Sequence, residues 1–124
     1  MPPTQSILVV DDELDIVVIF RQALTKHGYT VYGFTDPALA LEHFRTNAKD
    51  YALVISDVRM PQMSGFEFAA GVKAIKPDAK IVLMSAFEVS DFELSTLSIK
   101  PNDFLSKPVD IKTLVNKVRV VMAN

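Results

Sequence analysis

Two hydrophobic patterns alternate along the chain. Short, nearly continuous apolar runs predict buried strands over 6–10, 30–34, 51–56, 80–85 and 103–106. Between these runs, apolar residues recur every three or four positions, which predicts helices with one buried face. Strands that are apolar throughout, and not only at every second position, are typical of a parallel sheet covered on both faces.

Five helices are predicted between and after the strands. The first begins at Glu13, the second has Asp36 as its N-cap followed by a proline, and the third begins at Gly65. The fourth covers 90–98, and Asp110 caps the last. Strands and helices in strict alternation require right-handed crossovers, so the sequence predicts an α/β, doubly wound fold with a five-stranded parallel sheet.

Length and composition narrow the class of protein. The 124 residues fit a single domain over 1–124 with an ordered core of about 5–122. A net charge of −2 without a basic block argues against direct binding of nucleic acid, and the absence of cysteine excludes thiol chemistry. No segment has the pattern of a signal peptide or a membrane span, which indicates the cytoplasm. His27 and His43 are interpreted as surface or helix-end residues.

Acidic residues follow two of the predicted strands. Asp11 and Asp12 come directly after the first strand, and Asp57 comes directly after the third. Ligands of doubly wound sheets bind beyond the carboxyl ends of the strands, so the three carboxylates converge if these strands are neighbours. Like charges at one place are costly unless a cation joins them, and carboxylate oxygens suit Mg²⁺.

Two further polar groups belong to the same edge of the sheet. Ser85 ends the fourth strand and Lys107 lies at the end of the fifth. A hydroxyl, an ammonium and an acid cluster together form a phosphoryl site, in which Asp57 attacks as a nucleophile and forms an acyl phosphate. Taken alone, Asp12 fits a helix cap and Lys107 fits a solvated loop lysine, but their conjunction at strand ends favours the phosphoryl site.

Four short motifs occur in order: VDDE at 10–13, DVRMP at 57–61 followed by SG at 64–65, MSA at 84–86, and FLSKP at 104–108. Together they resemble the receiver domain of two-component response regulators. The resemblance covers essentially the whole chain, and it implies the flavodoxin-like strand order 2-1-3-4-5.

The resemblance implies a role for each polar residue. Asp57 is the expected phosphoryl acceptor, with a sensor histidine kinase or a histidine phosphotransfer protein as the donor. Asp12 is expected to bind Mg²⁺ directly and Asp11 through water, together with Asp57 and the backbone carbonyl of Arg59. Lys107 is expected to contact the phosphoryl group. The chain would therefore be a regulatory domain that catalyses its own phosphorylation, and no enzyme in the usual sense.

The same resemblance implies a conformational switch. Ser85 is expected to move towards a phosphate oxygen and Phe104 to turn inward, which shifts the face formed by the predicted fourth helix, the fifth strand and the last helix. The Lys107–Pro108 peptide bond is expected to be cis. Arg59 and Phe87 stand where the family tunes phosphoryl lifetime. Because Phe87 cannot hydrogen-bond a hydrolytic water, we expect slow self-dephosphorylation.

Other functions fit the sequence less well. Haloacid-dehalogenase-like hydrolases carry an Asp-x-Asp motif, whereas Asp11 and Asp12 are adjacent, and no glycine-rich turn supports dinucleotide binding. A receiver fold used as a docking module without phosphorylation is the main alternative. The downstream partner or output domain is unknown: the chain is either a stand-alone receiver or part of a longer regulator. A homodimer formed on phosphorylation is a further expectation.

Overall fold

The fold is centred on one parallel sheet. The computed structural model describes residues 6–86 and 103–123. Its strands are β1 (Ser6–Val10), β2 (Thr30–Phe34), β3 (Tyr51–Asp57), β4 (Lys80–Ser85) and β5 (Asp103–Ser106). They lie in the order β2-β1-β3-β4-β5, which confirms the predicted doubly wound topology. The prediction for β3 was one residue too short, because Asp57 pairs with Met84 and is the last residue of the strand.

Four α-helices are present in the described ranges: α1 (Leu14–Lys26), α2 (Pro37–Asn47), α3 (Gly65–Ile75) and α4 (Ile111–Ala123). A 3-10 turn, Ala48–Asp50, joins α2 to β3. The helix predicted over 90–98 lies outside the described residues. No described helix is both long enough and apolar enough to cross a membrane.

The sheet separates two apolar cores. In β1, Ile7 and Val9 pack into one core with side chains of α1 and α4, whereas Leu8 and Val10 pack into the other with side chains of α2 and α3. Because successive side chains of a strand point to opposite faces, both sets must be apolar. The two cores explain the continuous apolar runs of the sequence. They also hold the carboxyl ends of the strands in fixed positions.

Side-chain caps fix where three of the four described helices begin. The Asp36 carboxylate accepts a hydrogen bond from the Ala38 N–H at 2.9 Å, as the sequence predicted, and Asp110 accepts one from the backbone of α4. A cap of α3 was not predicted: the Ser64 hydroxyl accepts from the Glu67 N–H at 3.1 Å, and the Glu67 carboxylate accepts from the Ser64 N–H at 3.0 Å. This reciprocal capping box anchors the start of α3 beside the end of β3.

The interpretation of His43 was wrong. His43 does not lie at the end of α2, because the helix continues four residues beyond it. The half-buried His43 ring contacts the rings of Tyr32 and Phe34, and its Nε2 lies 2.5 Å from the Tyr51 hydroxyl. Burial raises the pKa of the Tyr51 hydroxyl, with Tyr32 as the next cause. His27 does lie at a helix end, since it follows the last residue of α1.

The contact between α1 and β2 depends on a missing side chain. An added Cβ at Gly33 would lie 2.2 Å from Cγ1 of Val17, which is buried. Val17 is β-branched and holds one preferred rotamer in a helix, so it cannot easily turn aside.

We therefore expect Gly33→Ala to lower the free energy of unfolding by about 1–3 kcal/mol, measured by urea denaturation. Shortening the opposing residue should relieve the clash. The double variant Val17→Ala/Gly33→Ala should accordingly lose less than the sum of the two single losses. Strictly additive losses would contradict this packing.

Candidate functional site

Three carboxylates meet at the carboxyl edge of the sheet. β1 and β3 are parallel neighbours with Val10 opposite Ser56, so the residues that follow arrive at the same place. One oxygen from each of Asp11, Asp12 and Asp57 lies within 4.8 Å of the others. Asp11 and Asp57 are buried, whereas Asp12 is exposed. The predicted convergence of these acids is confirmed.

Lys107 crosses the sheet edge to reach this acid cluster. Its Nζ lies 2.9 Å from Oδ2 of Asp11, 3.2 Å from Oδ2 of Asp57 and 3.7 Å from Oε1 of Glu13. Its backbone N–H donates to the Ser85 carbonyl at 2.8 Å, which fixes the start of the segment after β5. The ammonium therefore serves as the cluster's counter-ion among the described residues.

The pKa values of the site report this crowding. Burial raises the pKa of Asp57, and the neighbouring Asp11 raises it further, against the opposing effects of Lys107 and of a hydrogen bond from the Arg59 backbone. Burial by itself would lower the pKa of Lys107, but Asp11 and Asp57 together outweigh it and raise that pKa. Burial and the neighbouring Asp11 thus both disfavour the charged form of Asp57, and Lys107 offsets them only in part.

The donor set suits a divalent cation. Oδ2 of Asp11 is buried and accepts no well-aligned hydrogen bond within the described part of the chain, although the Lys107 ammonium lies close by. Three carboxylates, one of them open to solvent at Asp12, match the oxygen ligands and retained waters that Mg²⁺ prefers. These residues can therefore hold a hard cation.

The remaining predicted residues lie around this cluster. Ser85 is the buried last residue of β4, and Phe104 is half-buried against the core shared with α2 and α3. The Lys107–Pro108 peptide bond is cis, as expected. The side chain of Arg59 is exposed, and Phe87 lies outside the described residues.

Gly65 sets the position of the Asp57 backbone, and its importance was not predicted. An added Cβ at Gly65 would lie 2.2 Å from the carbonyl oxygen of Asp57, and the Gly65 N–H donates to the Val58 carbonyl at 2.8 Å. The N-terminus of α3 can therefore close against the end of β3 only because residue 65 has no side chain.

Glu13 is a further residue that the sequence did not assign to the site. Its backbone N–H donates to Oδ1 of Asp11 at 2.9 Å, and its carboxylate reaches towards Lys107. The sequence did offer one indication, because Glu13 is the third acidic residue in the run that follows β1. The run alone could not show which side chain faces the lysine.

Comparison with known families gives one consistent result. The family model described as "Response regulator receiver domain" matches residues 7–119. The response regulator receiver protein CpdR of Brucella abortus is 31% identical over 116 residues, which cover 94% of this chain and 95% of CpdR. The transcriptional regulatory protein ZraR of Klebsiella oxytoca is 33% identical over 108 residues, or 87% of this chain, but that match covers only 24% of ZraR.

Solved structures agree with the family model. The response regulator protein TrrA of Thermotoga maritima, described as a complex with Mg²⁺ and BeF, is 32% identical and has a TM-score of 0.81, covering 95% of this chain and 99% of TrrA. The chemotaxis protein CheY4 of Vibrio cholerae is 28% identical with a TM-score of 0.81, covering 95% of this chain and 98% of CheY4.

The raised pKa of Asp57 gives a pH-dependent prediction for the metal-free protein. The folded state holds the proton of the Asp57 carboxyl more tightly than the unfolded state does. The protonated carboxyl therefore contributes to stability at low pH, and this contribution is lost as the pH rises through the raised pKa. We expect Asp57→Asn to be more stable than the wild type at pH 7, and the difference to shrink as the pH falls to about 4. Thermal unfolding across this range measures it.

A variant with equal charge change provides the control. Asp78→Asn removes an exposed carboxylate from the turn before β4, and it should show no such pH-dependent gain. If Asp57→Asn gains the same stability at every pH, the gain does not come from the raised pKa of Asp57, and the prediction is contradicted.

Proposed function

The chain belongs to the response regulator receiver domain family, and on that basis we propose that it is a phosphorylation-dependent switch whose phosphoryl acceptor is Asp57. The observation that carries the proposal is the meeting of Asp11, Asp12 and Asp57 with the Lys107 ammonium at one edge of the sheet. Asp57 is the acceptor because it ends the central strand β3, where the core on both faces holds it in place. We propose further that 1–124 forms a single receiver domain.

The chemistry follows from the positions of these groups. A carboxylate oxygen of Asp57 attacks the phosphorus of a phosphohistidine, the P–N bond breaks, and the imidazole keeps the bonding electron pair. The products are an acyl phosphate on Asp57 and a free histidine on the donor, which is a sensor histidine kinase or a histidine phosphotransfer protein. The Lys107 ammonium, close to Asp57, neutralises a phosphoryl oxygen as the transfer proceeds.

Mg²⁺ is the proposed cofactor. Asp12 would hold it directly and Asp11 through water, together with Asp57 and the backbone carbonyl of Arg59. When bound, it would neutralise charge on the carboxylates and the phosphoryl oxygens. The description of TrrA as a complex with Mg²⁺ and BeF supports this choice, because beryllofluoride on a carboxylate mimics a phosphoryl group.

Phosphorylation would be relayed through Ser85 and Phe104. Both residues lie on the β4–β5 side of the site, where Ser85 pairs with Ser106 and Phe104 pairs with Leu83. We propose that the Ser85 hydroxyl bonds a phosphoryl oxygen and that Phe104, half-buried here, turns further inward. The face around β5 and α4 would then bind a downstream protein, an output domain or a second copy of the chain.

Mass spectrometry tests the acceptor directly. After incubation with Mg²⁺ and acetyl phosphate, the wild type and the control Asp78→Asn should each gain one phosphoryl group, and Asp57→Asn should gain none. An adduct that persists in Asp57→Asn would contradict the assignment. If the wild type gains no adduct and binds neither Mg²⁺ nor beryllofluoride, the docking module that works without phosphorylation is the better account.

We propose a slow loss of the phosphoryl group because Phe87 offers no hydrogen bond to an attacking water, with Arg59 as the second tuning position. Phe87→Asn should therefore lose phosphate severalfold faster than the wild type once the donor is removed. Phe87→Leu, which also lacks a hydrogen-bonding group, should remain slow. Equal rates in all three proteins would contradict this role for Phe87.

A further inference from the structure

Glu13 occupies the N-cap position of α1 without capping it. Its side chain makes no hydrogen bond to the first turn of the helix, although its backbone N–H donates to Oδ1 of Asp11 at 2.9 Å. The carboxylate is 67% exposed and lies 3.7 Å from the Lys107 ammonium. The Glu13 side chain therefore does not cap α1, and its carboxylate faces the Lys107 ammonium.

The three carboxylates around Lys107 are not equivalent. Asp11 and Asp57 belong to the acid cluster that can hold a divalent cation, whereas Glu13 does not. A cation bound by the cluster would satisfy Asp11 and Asp57 and repel the ammonium. With such a cation bound, Glu13 is the one of these three carboxylates that can still form an ion pair with Lys107 without also binding the cation.

The structure provides room for this pair beside the cluster. Glu13 and Lys107 both line a cavity of about 370 Å³ whose other walls are mostly apolar, including Ile16, Phe20 and Pro108. Because the other lining side chains are apolar, Glu13 is the lining residue that can pair with the ammonium, although its carboxylate remains largely open to solvent.

We propose that Glu13 is a positioning residue that holds the Lys107 ammonium in the unphosphorylated state and competes with the phosphoryl group for it. This inference rests on the proposed transfer to Asp57. Because a phosphoryl oxygen on Asp57 would draw the ammonium away from Glu13, the Glu13 contact weakens the phosphorylated state relative to the resting state. Glu13 thereby sets part of the threshold of the switch.

The affinity for beryllofluoride at saturating Mg²⁺, measured from NMR shifts, tests this competition. Glu13→Gln should bind beryllofluoride about two- to fivefold more tightly than the wild type, as expected for the loss of a partly exposed ion pair. Glu13→Asp keeps the charge but is one methylene shorter, and it should match Glu13→Gln because the contact is lost. Asp15→Asn, a charge change in the first turn of α1, should stay near the wild type.

A metal-free measurement supplies an independent readout. The ¹⁵Nζ chemical shift of Lys107 should move in Glu13→Gln and Glu13→Asp and stay unchanged in Asp15→Asn. Unchanged or weaker beryllofluoride binding by Glu13→Gln would overturn the inference, and so would wild-type affinity in Glu13→Asp. A wild type that binds Mg²⁺ but no beryllofluoride would overturn the proposed function, and this inference with it.

Discussion

The arrangement of the candidate site at the carboxyl edge of the sheet depends on the repulsion between the buried carboxylates of Asp11 and Asp57. At an effective dielectric constant of about 20, two such charges at most 4.8 Å apart repel by about 3.5 kcal/mol or more. Each is attracted to the Lys107 ammonium, 2.9 Å and 3.2 Å away, by about 5–6 kcal/mol on the same basis. One lysine thus offsets the repulsion in the metal-free site, but burial, with the Asp11 charge as the next cause, still leaves the pKa of Asp57 raised.

The rest of the fold keeps these charges from moving apart. β1 and β3 are held by their ladder and by apolar cores on both faces, which fixes the backbone positions of Asp11 and Asp57 at the edge of the sheet. On the far side of β3, the capped start of α3 closes against the Asp57 backbone at Gly65. Closely spaced charges held on a rigid base are what the proposed phosphorylation-dependent switch requires.

Much of this arrangement could be predicted from the sequence. Continuous apolar runs separated by helical patterns imply a doubly wound parallel sheet, and parallel strands bring Asp11, Asp12 and Asp57 to one edge whatever the details of packing. The alternation and the strand ends depend only on the periodicity of the chain and on which residue follows each strand. The neighbouring positions of the first and third strands, which bring the acids together, were implied by the family resemblance and are confirmed.

The parts that were missed depend on distances that no periodicity encodes. The last residue of β3 is set by pairing with β4, and the environment of His43 is set by the aromatic rings of β2 and β3 that surround it. The reach of Glu13 to Lys107 joins two segments far apart in the chain. Such contacts follow from the tertiary structure, so the sequence could show that the residues were present but could not show their roles.

The most direct measurement is the effect of Mg²⁺ on the free energy of unfolding of the wild-type protein. If the acid cluster is a metal-dependent phosphoryl site, stability should rise with Mg²⁺ and reach a gain of about 2.7 kcal/mol at one hundred times the dissociation constant. The gain should be lost in Asp12→Asn, because that residue would hold the ion directly. A stability that does not change with Mg²⁺, or an equal gain in Asp12→Asn, would contradict the account.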